Sequence, residues 1–195
     1  MLRREISATS VAASLTGFLS NATGATWTLT ATDSGDELAH LVTIRNDSGT
    51  DHSGKTVPLT GTDAHGGAIS ETLSLPAAGA TVTSTLHYLT LDPVLTPSAT
   101  IGADTMDIGW AAESISDWKS VSTKTNATGI TCEVTTGTPT YTVQYSLGSS
   151  TIANSSSLTN KTADAVSEFA TPIAALRVKW TAAGGVKMTA LQAGV

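Results

Sequence analysis

The feature of this sequence that most constrains its fold is an alternation of apolar residues with threonine, repeated along much of the chain. Residues 25–30 read ATWTLT, and similar alternation recurs at residues 38–45, 56–62, 68–75, 81–91 and 105–110. A period of two places alternate side chains on opposite faces of a β-strand. Threonine suits such strands, because its branched Cβ fits a pleated sheet and its hydroxyl tolerates water. The pattern predicts an all-β fold.

Turn residues separate the predicted strands. Glycine-bearing segments lie at residues 33–35, 46–49, 65–67 and 77–79. Short strands joined by such turns are typical of antiparallel sandwiches and barrels. Helix signals are scarce, and residues 162–169 are predicted as a short helical turn or a loop.

The alternation pauses near residues 111–114, and a second set of strands follows. We therefore predict two antiparallel β-sandwich or barrel-like domains, an N-terminal domain over residues 1–112 and a C-terminal domain over residues 113–195. Residues 1–20 are a candidate arm of the first domain. In the second, residues 176–180 alternate, and Gly184-Gly185 is predicted to turn the chain in a hairpin into residues 186–192.

Composition excludes several classes of protein. Charged residues make up 13% of the chain, about half of the ~25% usual in soluble domains. With 10 basic against 16 acidic residues, no direct nucleic-acid partner is expected. The single cysteine, Cys132, cannot form a disulfide within the chain and is predicted to lie in the core. No apolar run approaches the ~18 residues that span a bilayer, so no membrane partner is expected either.

The titratable residues show no catalytic or metal-binding spacing. Asp51-His52 and Asp63-Ala64-His65 each pair a carboxylate with an imidazole, but on predicted turns, and metal motifs such as HExxH or CxxC are missing from the sequence. The acid pairs Asp36-Glu37 and Asp104/Asp107 are equally non-specific. We therefore predict no catalytic, cofactor-binding or metal-binding residue, no cofactor, and a protein that is not an enzyme.

The four tryptophans are Trp27, Trp110, Trp118 and Trp180. Three of them alternate with apolar neighbours and are predicted to pack in the core. Trp118 lies between Asp117 and Lys119 near the domain boundary, and it is predicted at an interface.

Two regions of the sequence resemble β-rich virion structural proteins of tailed bacteriophages. The first covers residues 39–111, where TGTDAHGGAISETL (residues 60–73) precedes TVTSTLHYLTLDPVLTPS (residues 81–98) and IGADTMDIGWA (residues 101–111). In the second, PTYTVQYSL (residues 139–147) precedes SLTNKTADA (residues 157–165) and the segment from residue 169 to residue 194. The resemblance implies a structural particle component and carries no catalytic residues.

From this resemblance we expect a capsid decoration or cement protein of the virion. It would bind the assembled lattice of the major capsid protein, or other virion proteins, as a homo-oligomer. One alternative is a neck or tail accessory at the head–tail region, and another is a module that binds host glycans through residues such as Trp118 and Tyr88. The expected interface residues are Met1, Leu2, Arg3, Arg4, Ile6 and Trp118.

Overall fold

The structure is a computed structural model that describes residues 2–123, 127–148 and 151–192. No helix occurs among these residues, and the prediction of an all-β fold is confirmed. The strands are β1 (Leu2–Ser10), β2 (Ser14–Ala22), β3 (Trp27–Thr28), β4 (Ala39–Asn46), β5 (Thr56–Thr62), β6 (Ala68–Ser74), β7 (Thr81–Tyr88), β8 (Thr90–Leu91), β9 (Val94–Leu95), β10 (Met106–Ile115), β11 (Lys119–Ser120), β12 (Thr128–Ser146), β13 (Ile152–Asn154), β14 (Ala165–Phe169) and β15 (Ala175–Gln192).

The chain forms two compact units. The central unit comprises Ala13–Ala112, and the terminal unit comprises Met1–Ala12 together with Glu113–Val195. Residues 1–12, predicted in the N-terminal domain, belong to the same compact unit as the C-terminal part of the chain. The reason is strand pairing, because β1 forms an antiparallel ladder with β15 over nine residues.

In the central unit, β4 lies between β7 and β10, and β2 pairs with the other edge of β10. A second sheet has the order β6-β5-β8, and β3 pairs with β9. The core side chains come from all of these sheets, because every strand presents alternate apolar residues inward. The fully buried members of this core include Val42, Ile44, Val57, Leu59, Met106 and Ile108.

In the terminal unit, the long strand β15 is flanked by β1 on one side and by β12 on the other. The far edge of β12 pairs with β14 at one end and with β13 at the other. The core side of these strands carries Ile6, Ile130, Cys132, Tyr141, Val143, Val178, Trp180, Val186 and Met188. On β15 the even-numbered residues from 176 to 192 are mostly buried and the odd-numbered ones mostly face outward, as expected for a strand with one buried face.

The predicted hairpin at Gly184-Gly185 is wrong, because β15 runs straight through both glycines. The glycines are needed for close approach to β12 and not for a turn. A Cβ on Gly184, whose φ is 143°, would lie 2.9 Å from the Thr136 carbonyl oxygen, and a Cβ on Gly185 would lie 2.3 Å from Thr135 Oγ1. The β12–β15 register shifts at this point, which marks an irregularity of the ladder.

Two further predictions need correction. Residues 162–169, predicted as a helical turn or a loop, contain strand β14. Residues 25–30, predicted as one strand, keep only the two-residue strand β3. The pairing with residues 93–95 ends at Leu29, whose amide donates to the Pro93 carbonyl, because the Thr30 amide donates instead to the Phe18 carbonyl.

Candidate interaction surfaces

The N-terminal segment predicted as an interface arm is strand β1. Leu2, Arg3, Arg4 and Ile6 lie in it, and Met1 lies outside the described residues. Ile6 is buried in the core of the terminal unit, and Arg4 Nε donates to the Ser120 carbonyl at 3.0 Å. The segment is therefore bound to its own chain, and its role in an interface stays a prediction.

The strands β1, β15, β12 and β14 form a sheet whose outer side is exposed to solvent. We call this side the β1–β14 face, and the register of the strands arranges its residues in three rows. The first row is Arg3, Leu191, Gly129 and Glu168; the second is Glu5, Thr189, Thr131 and Val166; the third is Ser7, Lys187 and Glu133.

Apolar and charged side chains share this face. Val166 has a relative exposure of 76% and Leu191 one of 37%. Arg3, Thr131, Thr189 and Leu191 line a shallow depression of about 550 Å³. Leu191 and Val166 lie in different rows and two strands apart, so they are separate apolar positions on the face.

The charges of the β1–β14 face are unevenly distributed. Arg3 lies 2.7 Å from Glu5, and Lys187 lies 3.9 Å from the same carboxylate, so both cations lie on the β1 side. Glu133 and Glu168 lie on the β12 and β14 side, and within the described part of the chain neither carboxylate has an ion-pair partner. The β1 and β15 half of the face therefore carries two cations and the Glu5 carboxylate, whereas the β12 and β14 half carries two carboxylates.

Trp118 is half-buried in the terminal unit. The guanidinium of Arg177 lies over its ring, with Cζ 4.6 Å from the ring centroid. Arg177 Nε donates to Gln144 Oε1 at 2.8 Å, and Gln144 Nε2 donates to Asn154 Oδ1 at 2.9 Å. The side chain predicted at an interface thus ends a row of mutually bonded polar groups on its own sheet.

Burial determines the electrostatics of this row. It lowers the pKa of Arg177, because a desolvated guanidinium is disfavoured, while the nearby Glu113 carboxylate acts in the opposite direction. Glu113 also pairs with Lys179 at 2.7 Å. The outward positions of Arg177 and Lys179 could be predicted from the alternation of residues 176–180, but their partners could not.

Two further exposed apolar side chains lie where β12 meets β13. Leu147 has a relative exposure of 59% and Ile152 one of 48%. Ile152 begins β13, which is three residues long and pairs with β12 through Ser146. We call Leu147 and Ile152 the corner patch. Neither residue was predicted at a surface, although Leu147 ends the alternating run of residues 141–147 and such ends of strands are commonly exposed.

In the central unit, His40 and Asp36 form a buried pair. Asp36 Oδ2 lies 2.9 Å from His40 Nε2, and the side chains are 3% and 1% exposed. His40 Nδ1 lies 3.1 Å from the Ala111 carbonyl oxygen. Both neighbours of the ring are hydrogen-bond acceptors. Ser34 Oγ donates to Asp36 Oδ1 at 2.6 Å. In a nucleophilic triad the imidazole lies between the hydroxyl and the carboxylate, whereas here the carboxylate lies between the hydroxyl and the imidazole.

His52 has a different pair of neighbours. Its Nε2 lies 3.0 Å from Asp104 Oδ2, and its Nδ1 lies 3.0 Å from Lys55 Nζ, which also donates to the Thr100 carbonyl at 2.8 Å. An ammonium only donates, so Nδ1 accepts and Nε2 donates to the carboxylate. The row from Asp104 through His52 to Lys55 joins two loops, and the sequence pairing of His52 with Asp51 is replaced by one with Asp104.

The other titratable residues singled out in the sequence stabilise local structure. Asp63 Oδ1 accepts from the amides of His65 and Gly67, as in a turn stabilised by an aspartate side chain. Asp107 Oδ2 lies 2.6 Å from Arg45 Nη2, and Asp107 Oδ1 accepts from the Asn21 amide at 3.0 Å. Asp104 and Asp107 thus have separate partners.

Cys132 is buried and free, which confirms its prediction as a core residue. Burial raises the pKa of its thiol to about 12. The neutral thiol therefore predominates at neutral pH and packs as a small apolar group. Trp27 and Trp180 are also fully buried, as predicted.

Neither a metal centre nor a membrane-crossing helix is found among the described residues. No group of three or more His, Cys, Asp or Glu side chains in residues 2–123, 127–148 and 151–192 is placed to hold a metal ion. In the same ranges, no helix has the length and apolar character needed to cross a bilayer.

Comparisons with known proteins leave the family of the chain open. No protein-family model matches the sequence, and no curated protein matches it. Among solved structures, allantoicase from Saccharomyces cerevisiae is similar over 85% of this chain and 76% of its own, with 7% sequence identity and a TM-score of 0.27. This likeness is too slight to support an inference about activity.

Proposed function

We propose that this protein is a structural component of a tailed-phage virion, and that it binds the assembled capsid lattice as a decoration or cement protein. The resemblance of residues 39–111 and 139–194 to phage virion proteins supports this proposal. The structural observation that carries it is the corner patch, where Leu147 and Ile152 expose apolar surface at the end of a folded sheet.

The corner patch has the chemistry expected of a surface for protein association. Burying these side chains against a partner would gain roughly 25 cal/mol for each Å² of apolar area removed from water. Strand β13 adds unpaired backbone groups at the edge of the sheet, to which a strand of a partner can bond. Neither contribution requires the desolvation of an ion, which is the costly step in burying charge.

Binding to the lattice would stabilise the particle through mass action. A protein that binds assembled subunits and not free ones adds its binding free energy to that of assembly. A shell under internal pressure from DNA would then withstand more stress before it releases its contents.

Particles lacking this protein test the proposal. They should release DNA at a lower temperature, or after a milder osmotic shock, than complete particles, and adding back the purified protein should restore resistance. Equal resistance of the two kinds of particle would contradict a cement role.

Substitutions then test the corner patch. Leu147→Asp and Ile152→Asp should reduce binding to capsids lacking the protein, whereas Val94→Asp, at an exposed apolar position of the central unit, should not. If all three variants bind alike, the corner patch is not the contact with the capsid.

Copy number distinguishes the neck or tail alternative. A decoration protein should be present in numbers comparable to the capsid subunits, whereas a neck or tail accessory should be present in the few copies of one ring. The glycan-binding alternative keeps only one of its two aromatic residues, because Tyr88 is buried in the core while Trp118 is half-buried. Glycan-array binding that is lost in Trp118→Ala would favour that alternative.

A further inference from the structure

We propose that the β1–β14 face is a twofold interface between two copies of this chain. The proposal concerns self-association and does not depend on the capsid role. It rests on a property of the strand register: in the first and third rows, a basic residue on one half of the face has an acidic counterpart on the other half.

The geometry of the proposed contact follows from how sheets pack. Two sheets facing each other keep their strands within about 30° of alignment and lie ~10 Å apart. Consider a twofold axis that is parallel to the strands and passes between β15 and β12. Rotation about this axis places β1 opposite β14 of the second copy, and β15 opposite its β12. A residue on one half of a row then faces the residue at the mirrored position of the same row in the second copy.

The first row shows both charge and shape complementarity. Within one chain, Arg3 on β1 and Glu168 on β14 lie at opposite ends of this row. The rotation places Arg3 of one copy opposite Glu168 of the other. Leu191 faces Gly129 of the second copy, so an exposed apolar side chain lies opposite a residue that has no side chain. By symmetry both contacts occur twice.

The other rows are compatible with this arrangement. Lys187 faces Glu133 of the second copy, which adds two further pairs of opposite charge. Thr189 faces Thr131, two uncharged residues of similar size. Glu5 faces Val166 and gains no partner from the second copy, but its carboxylate is already held by Arg3 and Lys187 of its own chain.

The size of the face sets the expected affinity. Three strand spacings of ~4.8 Å and about four residue steps of ~3.4 Å give a contact roughly 15 Å in each direction. The resulting area, about 200 Å² on each copy, is well below the ~600–1,000 Å² that each partner buries in a standard stable complex. We therefore expect a weak dimer, which is significant at high protein concentration or where copies are held side by side, and which weakens with added salt as the charges are screened.

Charge reversal at the ends of the first row gives the sharpest test. Arg3 and Glu168 are separated by about 14 Å within one chain, since three strand spacings of ~4.8 Å lie between them, so they do not pair internally. Arg3→Glu alone and Glu168→Arg alone should each weaken the association constant about tenfold, measured by sedimentation at low salt and millimolar concentration, because two attractive pairs become repulsive. An equimolar mixture of the two variants should associate as the unchanged protein does, since every contact then joins opposite charges.

Two further variants separate the interface from effects on folding. Arg4→Glu is the matched control, because it makes the same charge change one residue along β1, on the other side of the strand, and should leave association unchanged. It also removes the bond to the Ser120 carbonyl, so thermal unfolding is measured to establish that the variant is folded under the conditions of sedimentation. Gly129→Val tests the shape of the contact. A Cβ at Gly129 meets its own chain only at 3.9 Å, from the Leu191 carbonyl oxygen, so the variant should fold normally and still lose association.

The proposal is overturned if the protein sediments as a monomer at millimolar concentration, or if mixing the charge-reversed variants fails to restore association. It is also overturned if Arg3→Glu leaves sedimentation unchanged but reduces binding to capsids, because the face would then bind a capsid partner. None of these results affects the particle-release experiment, which tests the capsid role separately.

Discussion

The two units of this protein place their charged side chains differently. In the central unit, the buried charges are paired within the chain, as in the contacts of His40 with Asp36 and of Arg45 with Asp107. In the terminal unit, the β1–β14 face leaves Glu133 and Glu168 exposed beside Leu191 and Val166. Charges of the first kind stabilise the fold, whereas those of the second are available to a partner.

This difference separates stability from association. Removing one partner of a buried pair leaves the other without its hydrogen bonds, and the cost appears in the free energy of unfolding. Removing an exposed side chain from an open sheet changes that free energy little. Substitutions in the two units should therefore affect different measurements.

The largest effect is expected at the buried pair of the central unit. Asp36→Ala should lower the free energy of unfolding by about 3–5 kcal/mol, because it leaves the His40 ring buried without its carboxylate. Chemical denaturation measures the change. Glu37→Ala is the control, since it removes an exposed carboxylate one residue away, and equal losses in the two variants would show that the buried pair is unimportant.

A smaller loss of stability is expected on substitution of His52, whose ring bonds to one donor, Lys55, and one acceptor, Asp104. His52→Ala should destabilise the protein by about 1–3 kcal/mol, since Lys55 and Asp104 each lose a partner. His52→Gln should cost less, because an amide offers an acceptor to Lys55 and a donor to Asp104. An equal cost for the two variants would mean that packing, and not hydrogen bonding, makes His52 important.

In the terminal unit, the stacked pair of Arg177 and Trp118 should contribute moderately to the free energy of unfolding. Arg177→Met keeps the aliphatic contact but removes the cation and its bond to Gln144, and we expect a loss of about 1–2 kcal/mol in thermal or chemical unfolding. Lys119→Met removes a more exposed charge 3.8 Å from Asp117, and its effect should be smaller. A reversed order would contradict a stabilising role for the stacking.

The smallest effect on stability is expected on the β1–β14 face itself. Leu191→Thr should change the free energy of unfolding by less than about 0.5 kcal/mol, while it weakens self-association in sedimentation. Val178→Thr, which places a hydroxyl in the core of the same strand, should do the reverse. If Leu191→Thr destabilises the chain as much as Val178→Thr does, Leu191 is a packing residue and the contrast between the units fails.

The strands were predictable where alternation and turn residues agreed. Thr56–Thr62 matches its predicted range because a sharp turn follows it and its apolar residues all face one side. Strand β1 was not predicted as part of a sheet, since Arg3, Arg4 and Glu5 interrupt the apolar pattern; these residues are exposed and only Ile6 of this stretch is buried. Strand β14 was missed for a similar reason, because its residues are at most half-buried.

The candidate surfaces were less predictable than the strands. The β1–β14 face combines residues near 3, 130, 167 and 190, and only the register of four strands brings them together. The preference for adhesion over catalysis came from composition and resemblance, and it stays a prediction. Trp118 was singled out by its charged neighbours, but its stacking partner Arg177 comes from a distant strand.

The pairing of β1 with β15 has a consequence for synthesis of the protein. Domains fold as units while the ribosome extends the chain from its N-terminus, so the whole central unit is made before the strand that β1 needs. Until Gly184–Gln192 has left the ribosome, Leu2–Ser10 cannot form its ladder with β15. A copy released early would hold a finished central unit but an incomplete terminal sheet, so that only full-length copies could present the surfaces proposed for assembly.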